Sequence, residues 1–320
     1  MEGAAARSYL GTSVTFGGDL TGDGNNDWAY GAYQAYSSSG TQTGYVGIVN
    51  TGSCSAMTSA SSSIQTISGS ASDVFGLSVL GDLDVDGDGQ HDLLVAAGGT
   101  DSVYVFLGPI TQTSRTQADA TVDTVDFYYS GSSAEDNYSD RLAKAGDTDD
   151  DGYAEFLIGS SSYDVGSTTT AGAAFLVSGD DAVLAGTDSA ANLATLSVLG
   201  GSSTFNVGAG VSAAGDVDAD GAEDFLIGFG AETVSGTVYG AAALFYGGAT
   251  GTYSPSLSLT DPAYAMYSLD TTTTSSGGTG GSAASMGDVD NDGFEDFVLA
   301  NMNYGTTRVG RVYLVQGTGE

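Results

Sequence analysis

The sequence predicts an all-β fold assembled from five repeated units of four short strands, and three observations carry that prediction. One pattern recurs five times in fixed register, short apolar runs bounded by glycine follow each copy, and no stretch shows sustained 3.6-residue apolar periodicity bracketed by caps. The copies are LGTSVTFGGDLTGDGNNDWAYGA from Leu10, FGLSVLGDLDVDGDGQHDLLVAA from Phe75, YSDRLAKAGDTDDDGYAEFLIGS from Tyr138, VGAGVSAAGDVDADGAEDFLIGF from Val207 and TGGSAASMGDVDNDGFEDFVLAN from Thr279. In each, an acidic loop opens nine residues after the first residue, at Asp19, Asp84, Asp147, Asp216 and Asp288.

Those loop starts are 65, 63, 69 and 72 residues apart, too long for a hexapeptide solenoid and suited to a four-stranded propeller blade with generous loops. Within a unit, a strand of small residues such as Ser78-Val79-Leu80 precedes the loop, and an apolar strand follows it at Leu93–Val95, Phe156–Ile158, Phe225–Ile227 or Phe297–Leu299. A third strand is predicted at GYVGIVN from Gly44, DSVYVFLG from Asp101, GAAFLVSG from Gly172, GAAALFYG from Gly240 and GRVYLVQG from Gly310. A weaker fourth strand closes the unit, as at Ile64–Ile67 or Leu193–Val198. Apolar runs of this length between glycines suit strands covered on both faces, as stacked blades are. The expected organisation is one β-propeller domain over residues 1–320, with repeats at about 10–70, 75–131, 138–200, 207–270 and 279–320. The last unit stops after its third strand, near Gln316, so the expectation covers both a closed five-blade ring and a piece of a larger one.

Composition narrows the function. A hydrophobic content of 41% supports a substantial core, while 40 acidic residues against six basic ones give a formal net charge of −34. Nucleic acid and anionic membrane are therefore not expected as partners, because both demand clustered Lys and Arg. No stretch approaches the ~20 apolar residues of a membrane span, and MEGAAARSYLG at the N-terminus lacks the apolar core of a signal peptide. The single cysteine, Cys54, cannot form an intramolecular disulfide and reads as a small apolar side chain, so bracing must come from packing or metal.

Each loop has the form Asp-x-Asp-x-Asp-Gly-x-x-Asp, a pattern that hard-cation chemistry explains. Calcium takes six to eight oxygen ligands, alternate carboxylates can fold around one point, and the glycine permits the sharp turn. Positions 1, 3, 5 and 9 would supply side-chain oxygens: Asp19, Thr21, Asp23 and Asp27; Asp84, Asp86, Asp88 and Asp92; Asp147, Asp149, Asp151 and Glu155; Asp216, Asp218, Asp220 and Asp224; Asp288, Asp290, Asp292 and Asp296. Position 7 would supply a backbone carbonyl from Asn25, Gln90, Tyr153, Ala222 and Phe294. About five Ca²⁺ ions, one per repeat, are expected, with the Thr21-containing site weakest and the Glu155 site altered by its longer side chain. Asp, Asn and Gly also make ordinary turns, but five loops in one register, with carboxylates crowded together, ask for a counter-ion. Zinc and softer metals would want His or Cys, of which the chain has one each. An EF-hand is excluded, since the last acid stands at position 9 and a strand follows.

The units resemble FG-GAP repeats, the blades of the integrin α-subunit propeller, found also in many bacterial surface and secreted proteins. Phe-Gly stands intact at Phe75-Gly76, with near matches at Leu10-Gly11 and Val207-Gly208; Tyr138-Ser139 and Thr279-Gly280 depart further. The Gly-Ala-Pro element is reduced to Gly31-Ala32, Ala96-Ala97, Gly159-Ser160, Gly228-Phe229 and Ala300-Asn301, leaving the calcium loop as the most specific part of the match. The resemblance implies structural calcium, a seven-bladed ring in typical members, and adhesion or recognition of a protein or carbohydrate ligand. A high acidic charge and calcium loops favour an extracellular or cell-surface location, where calcium is plentiful.

No catalytic constellation is expected. His91, the one imidazole, sits at position 8 of the second loop and reads as a solvated loop residue rather than a general base. The adjacent acids Glu135 and Asp136, or Asp180 and Asp181, read as surface charges rather than glycosidase carboxylates. Tyr33, Tyr36, Tyr128, Tyr129, Tyr163, Tyr264 and Tyr267 are candidates for ligand contact, with packing between blades as the competing role. The alternatives to a binding module are a polysaccharide lyase or glycosidase on the same scaffold and a passive spacer in a surface protein.

Overall fold

The computed structural model of the chain describes residues 9–36, 41–51, 64–111, 114–116, 122–126, 140–180, 188–201, 206–234, 237–249, 251–253, 264–269, 279–301 and 310–318. Cys54, Tyr128, Tyr129, Glu135, Asp136 and Asp181 lie outside them.

The described residues form five blade-like sheets, one per repeat. The first runs β1 (Val14–Gly18), β2 (Asp27–Gly31), β3 (Tyr45–Val49), β4 (Ile64–Ser68); the second β5 (Phe75–Leu83), β6 (Asp92–Ala97), β7 (Ser102–Phe106), β9 (Val122–Asp126). The third runs β10 (Asp140–Gly146), β11 (Glu155–Ser160), β12 (Ala173–Val177), β14 (Ala194–Leu199); the fourth β15 (Gly210–Gly215), β16 (Asp224–Val234), β17 (Thr237–Phe245), β19 (Tyr264–Leu269). The fifth has three strands, β20 (Thr279–Gly287), β21 (Asp296–Asn301) and β22 (Arg311–Val315). Neighbouring strands within a repeat run antiparallel, as Trp28 opposite Val49 and Phe225 opposite Phe245 illustrate. This is the almost all-β, propeller-blade architecture that the repeat spacing predicts. Helix among the described residues is limited to short turns such as α1 (Ala190–Leu193). That turn claims Leu193, so the fourth strand of the third blade begins one residue later than expected, at Ala194. Ala190 and Ala191 are good helix formers, and Leu193 is buried by the turn.

Two compact units hold these sheets, the first two in one and, apart from the opening residues of β10, the last three in the other. In the first unit, Ala29, Val46, Ile48 and Ile67 pack against Phe75, Val79, Leu93 and Val95 of the next blade. In the second, Leu157, Ala174, Leu196 and Val198 meet Phe225, Ile227, Ala243 and Phe245, while Leu226, Ala242 and Leu244 on the opposite face meet Phe297 and Leu299. The period-2 alternation of a strand thus sends successive apolar residues to two different neighbours, which is why the runs are continuous.

Three short strands outside the predicted four clasp the blades. β8 (Ser114–Thr116) pairs parallel with β4, β13 (Asp188–Ser189) with β9, and β18 (Gly251–Tyr253) with β14. In each case the segment following the third strand of one repeat joins the outer strand of the repeat before it.

The Phe-Gly signature acquires a physical role at the blade junctions. Gly76 has φ +87°, and a Cβ there would lie 2.8 Å from the Tyr45 carbonyl of the preceding blade; Gly208 has φ +80°, with a Cβ position 2.2 Å from the Ala173 carbonyl. A left-handed backbone and a close carbonyl both demand glycine. Gly208→Ala is therefore expected to lower unfolding free energy by at least about 1–2 kcal/mol from the backbone conformation alone, with the clash adding to it, as measured by urea denaturation.

Candidate metal centres

Each acidic loop joins the first strand of a blade to the second and is shaped by its own carboxylates. The position-1 carboxylate accepts the N–H groups of positions 5 and 6: Asp84 from Asp88 (3.1 Å) and Gly89 (2.7 Å), Asp147 from Asp151 and Gly152 (both 3.1 Å), Asp216 from Asp220 and Gly221 (both 3.1 Å). Asp19 and Asp288 do the same in the first and fifth loops. The position-5 carboxylate accepts the N–H of position 7 in all five, at Asn25, Gln90, Tyr153, Ala222 and Phe294. Such Asx-type bonds hold the turn while leaving lone pairs of the carboxylates for another partner.

The position-9 carboxylate opens the second strand and is buried. Asp92, Asp224 and Asp296 each accept the position-2 N–H, from Val85 (2.7 Å), Val217 (2.8 Å) and Val289 (2.9 Å), on one oxygen. Their other oxygen accepts an N–H from the end of the third strand, at Gly108 (2.8 Å), Gly247 (2.8 Å) and Gly317 (3.0 Å). These glycines are required by space: a Cβ at Gly108 would lie 2.4 Å from the His91 carbonyl, and one at Gly317 2.4 Å from the Glu295 carbonyl. Sequence reading missed them, although a glycine ends the third strand in each of these units.

In four loops three of the four candidate carboxylates converge. Asp84, Asp86 and Asp92; Asp147, Asp149 and Glu155; Asp216, Asp218 and Asp224; and Asp288, Asp290 and Asp292 each offer ligand oxygens lying within 4.8 Å of one another. Asp88, Asp151 and Asp220 stand outside these groups, as does Asp296 in the fifth loop, where position 5 takes its place. Gln316 donates to Asp290 there.

The first loop differs. Asp19, Asp23 and Asp27 form no such group among the described residues. Asp27 receives the N–H of Thr21 (3.0 Å), position 3, where the other loops use position 2, and the Asn50 amide donates to the Thr21 hydroxyl (2.9 Å). Hydrogen bonds from Asn25 hold the Asp23 carboxyl below its ordinary range. With Thr21 replacing a carboxylate, this loop is stabilised by neutral donors that three like charges would not supply.

Burial raises the Asp27 carboxyl too, but the effect is largest in the second, third and fourth loops. Burial, reinforced by the nearby loop carboxylates, pushes Asp92, Glu155 and Asp224 each up to about 7 against the hydrogen bonds that favour their charged forms. Asp86 and Asp149 are also raised, first by burial and then by neighbouring acids. Glu155 adds a sharper sign. Its Oε2 takes both the N–H (2.6 Å) and the hydroxyl (3.0 Å) of Thr148, and its buried Oε1 has no protein partner. A buried carboxylate oxygen without a protein partner, on a side chain that clusters with two further acids, is the environment a cation completes. The donor set, all carboxylate oxygen without His or Cys, fits a hard cation such as calcium.

His91 does not join the second cluster. Its Nδ1 accepts the Asp19 N–H (3.3 Å), and its Nε2 lies 3.4 Å from Asp82. Of the candidate aromatics, Tyr33 packs with Tyr9, Tyr163 with Phe175 and Tyr267 with Phe297, while Tyr36 is exposed. One raised carboxyl lies away from every loop: Asp101, in the turn before β7, is pushed up to about 6 by burial, and its Oδ1 has no partner. A folded-state value above the unfolded one gives stability that is present in acid and lost as pH rises through about 6. Asp101→Asn, which tolerates the left-handed φ of 51°, is expected to raise stability above that pH and to match the parent in acid, as read by denaturant titrations on either side.

With this geometry established, comparison with protein families gives a match. The sequence profile of the FG-GAP repeat family matches residues 280–315, which run from β20 through the fifth acidic loop to the end of β22. Among curated proteins, no sequence match to the chain is found. The match covers one repeat; the other four share its loop register and the order of its strands, and three of them carry a carboxylate cluster in the same loop, with position 9 in place of position 5.

Proposed function

We propose that this chain is a calcium-stabilised, propeller-type binding module that works outside the cell, in adhesion or in recognition of a protein or carbohydrate ligand, and that its metal is structural rather than catalytic. The observation that carries the reading is the recurrence of a carboxylate cluster in the acidic loop of four successive blades. In this reading the candidate ligands are the side chains of positions 1, 3, 5 and 9 and the carbonyls of Asn25, Gln90, Tyr153, Ala222 and Phe294, with the first loop weakest. Calcium, when bound, would supply two positive charges to a group of buried like charges and so hold the first and second strands of each blade together.

Repetition favours a structural role, since an active site is needed once and a brace once per blade. The ligand side of the proposal draws on an open hollow of about 320 Å³ lined by Tyr36, Thr43, Tyr45, Thr66 and Ser68, which pairs aromatic faces with hydroxyls as saccharide sites do. Glycan arrays and immobilised extracellular proteins, probed in calcium and in EDTA, test it. Saturable binding that EDTA abolishes is the expected result; release of oligosaccharides from a polysaccharide would replace the binding module with an enzyme, and no binding in either condition would leave a spacer.

A further inference from the structure

One position at the end of the third strand divides the acidic loops into two kinds. Trp28 pairs with Val49, Leu93 with Phe106, Phe156 with Val177, Phe225 with Phe245 and Phe297 with Val315. The next residues along the third strand, Asn50, Leu107, Ser178, Tyr246 and Gln316, therefore hold one equivalent place. In four blades the backbone N–H just after that place, at Thr51, Gly108, Gly247 or Gly317, donates to the position-9 carboxylate, which sets the place beside the loop.

Two of the five side chains are amides, and both donate to position 3 of their own loop. Asn50 Nδ2 donates to the Thr21 hydroxyl (2.9 Å), and the same side chain hydrogen-bonds Asp23 at position 5. Gln316 Nε2 donates to Asp290 Oδ2. Leu107, Ser178 and Tyr246 carry no amide, and Tyr246 packs against the apolar cluster of Val217, Leu226 and Phe297. The carboxylates sort in the same way. Position 9 joins positions 1 and 3 in the second, third and fourth loops, through Asp92, Glu155 and Asp224. The fifth loop gathers positions 1, 3 and 5 without position 9, and the first forms no group of three among the described residues. An amide N–H on a ligand oxygen supplies part of the positive charge that crowded acids require, and it opposes a cation approaching the same oxygen.

We infer that Asn50 and Gln316 are built-in partners of the first and fifth loops, engaging position-3 oxygens so that the chain holds two classes of metal loop. The inference rests on the calcium reading proposed above. It makes the second, third and fourth loops the tight sites, the fifth weaker, and the first weakest, where Thr21 also removes a carboxylate. In the fifth loop a hydrogen bond to a charged group is broken before Asp290 can serve a cation, which weakens that site by about tenfold or more.

Flow dialysis of the whole chain with radiolabelled calcium, over a range of free calcium, tests this, with melting temperatures in EDTA measured on the same samples. The parent is expected to bind three ions in a tight class and a fourth at free calcium about tenfold higher or more. Gln316→Leu places at this position the residue type of Leu107, and it should move the fourth ion into the tight class. In EDTA the same variant should melt below the parent, because Asp290 loses its donor beside Asp288 and Asp292. Thr21→Asp combined with Asn50→Leu reproduces in the first loop the side chains of the second and should add one tight ion, whereas Thr21→Asp with Asn50 retained should not. Gln316 is exposed, so its variant decides the matter even where the first-loop variants fail to fold. A fourth ion held no more tightly in Gln316→Leu than in the parent overturns the inference, as does a parent whose sites fill as one class. A parent that binds no calcium overturns the calcium reading itself, and this inference with it.

Discussion

Asp224→Ala is expected to destabilise the protein by about 2–6 kcal/mol even without metal, because it strands two interior backbone donors at about 1–3 kcal/mol each. Those donors are the Val217 and Gly247 N–H groups, each 2.8 Å from one oxygen of the carboxylate. In calcium the loss should be larger still, since the same side chain belongs to the cluster with Asp216 and Asp218. Asp224→Asn retains one acceptor and should fall between parent and alanine variant. Urea denaturation in calcium and in EDTA separates the two contributions: a gap between parent and Asp224→Ala that widens on adding calcium assigns the residue both roles, and an alanine variant as stable as the parent would remove the carboxylate from the architecture of the loop.

Phe225→Ala is expected to cost about 3–5 kcal/mol, the range for deleting a fully buried aromatic ring. Phe225 stacks on Phe245 with centroids 5.4 Å apart and planes 5° from parallel, between the third and fourth blades, where Leu157, Leu196 and Ile227 surround it. Contrast with its neighbour in sequence is the informative part. Phe225 faces a blade junction and Asp224 faces the loop, so the Phe225→Ala loss should be the same with and without calcium. A calcium-dependent loss at Phe225 would mean that the loop and the junction are not separable.

The blades were legible in the sequence because strand, loop and strand recur in one register, and every unit places an apolar run after its ninth loop position. The carboxylate clusters of four loops were legible for the same reason. What the sequence did not reveal lies where backbone does the bonding. The clasps β8, β13 and β18 read Ser-Arg-Thr, Asp-Ser and Gly-Thr-Tyr, with no apolar alternation to mark a strand, and they attach through main-chain pairing to a neighbouring repeat. The position-9 carboxylates take their second hydrogen bond from glycine N–H groups some twenty residues away, at Gly108, Gly247 and Gly317, which a local motif cannot contain. Thr21 marked the first loop as different in the sequence, but the Asn50 amide that engages it comes from the end of the third strand. Trp28 looks in sequence like Leu93 or Phe225, yet it is exposed where they are buried.

Thermal unfolding in excess calcium and in EDTA, with bound metal counted by mass spectrometry on the same samples, tests the central claim most directly. Ligand that binds only the folded state stabilises it by about 2.7 kcal/mol per site at a hundred times its Kd, and four carboxylate clusters sum such terms. The account predicts a large rise in melting temperature that magnesium does not reproduce, with at least four calcium ions per chain. An unchanged melting temperature and a metal-free protein would contradict it, and would reduce the acidic loops to turns.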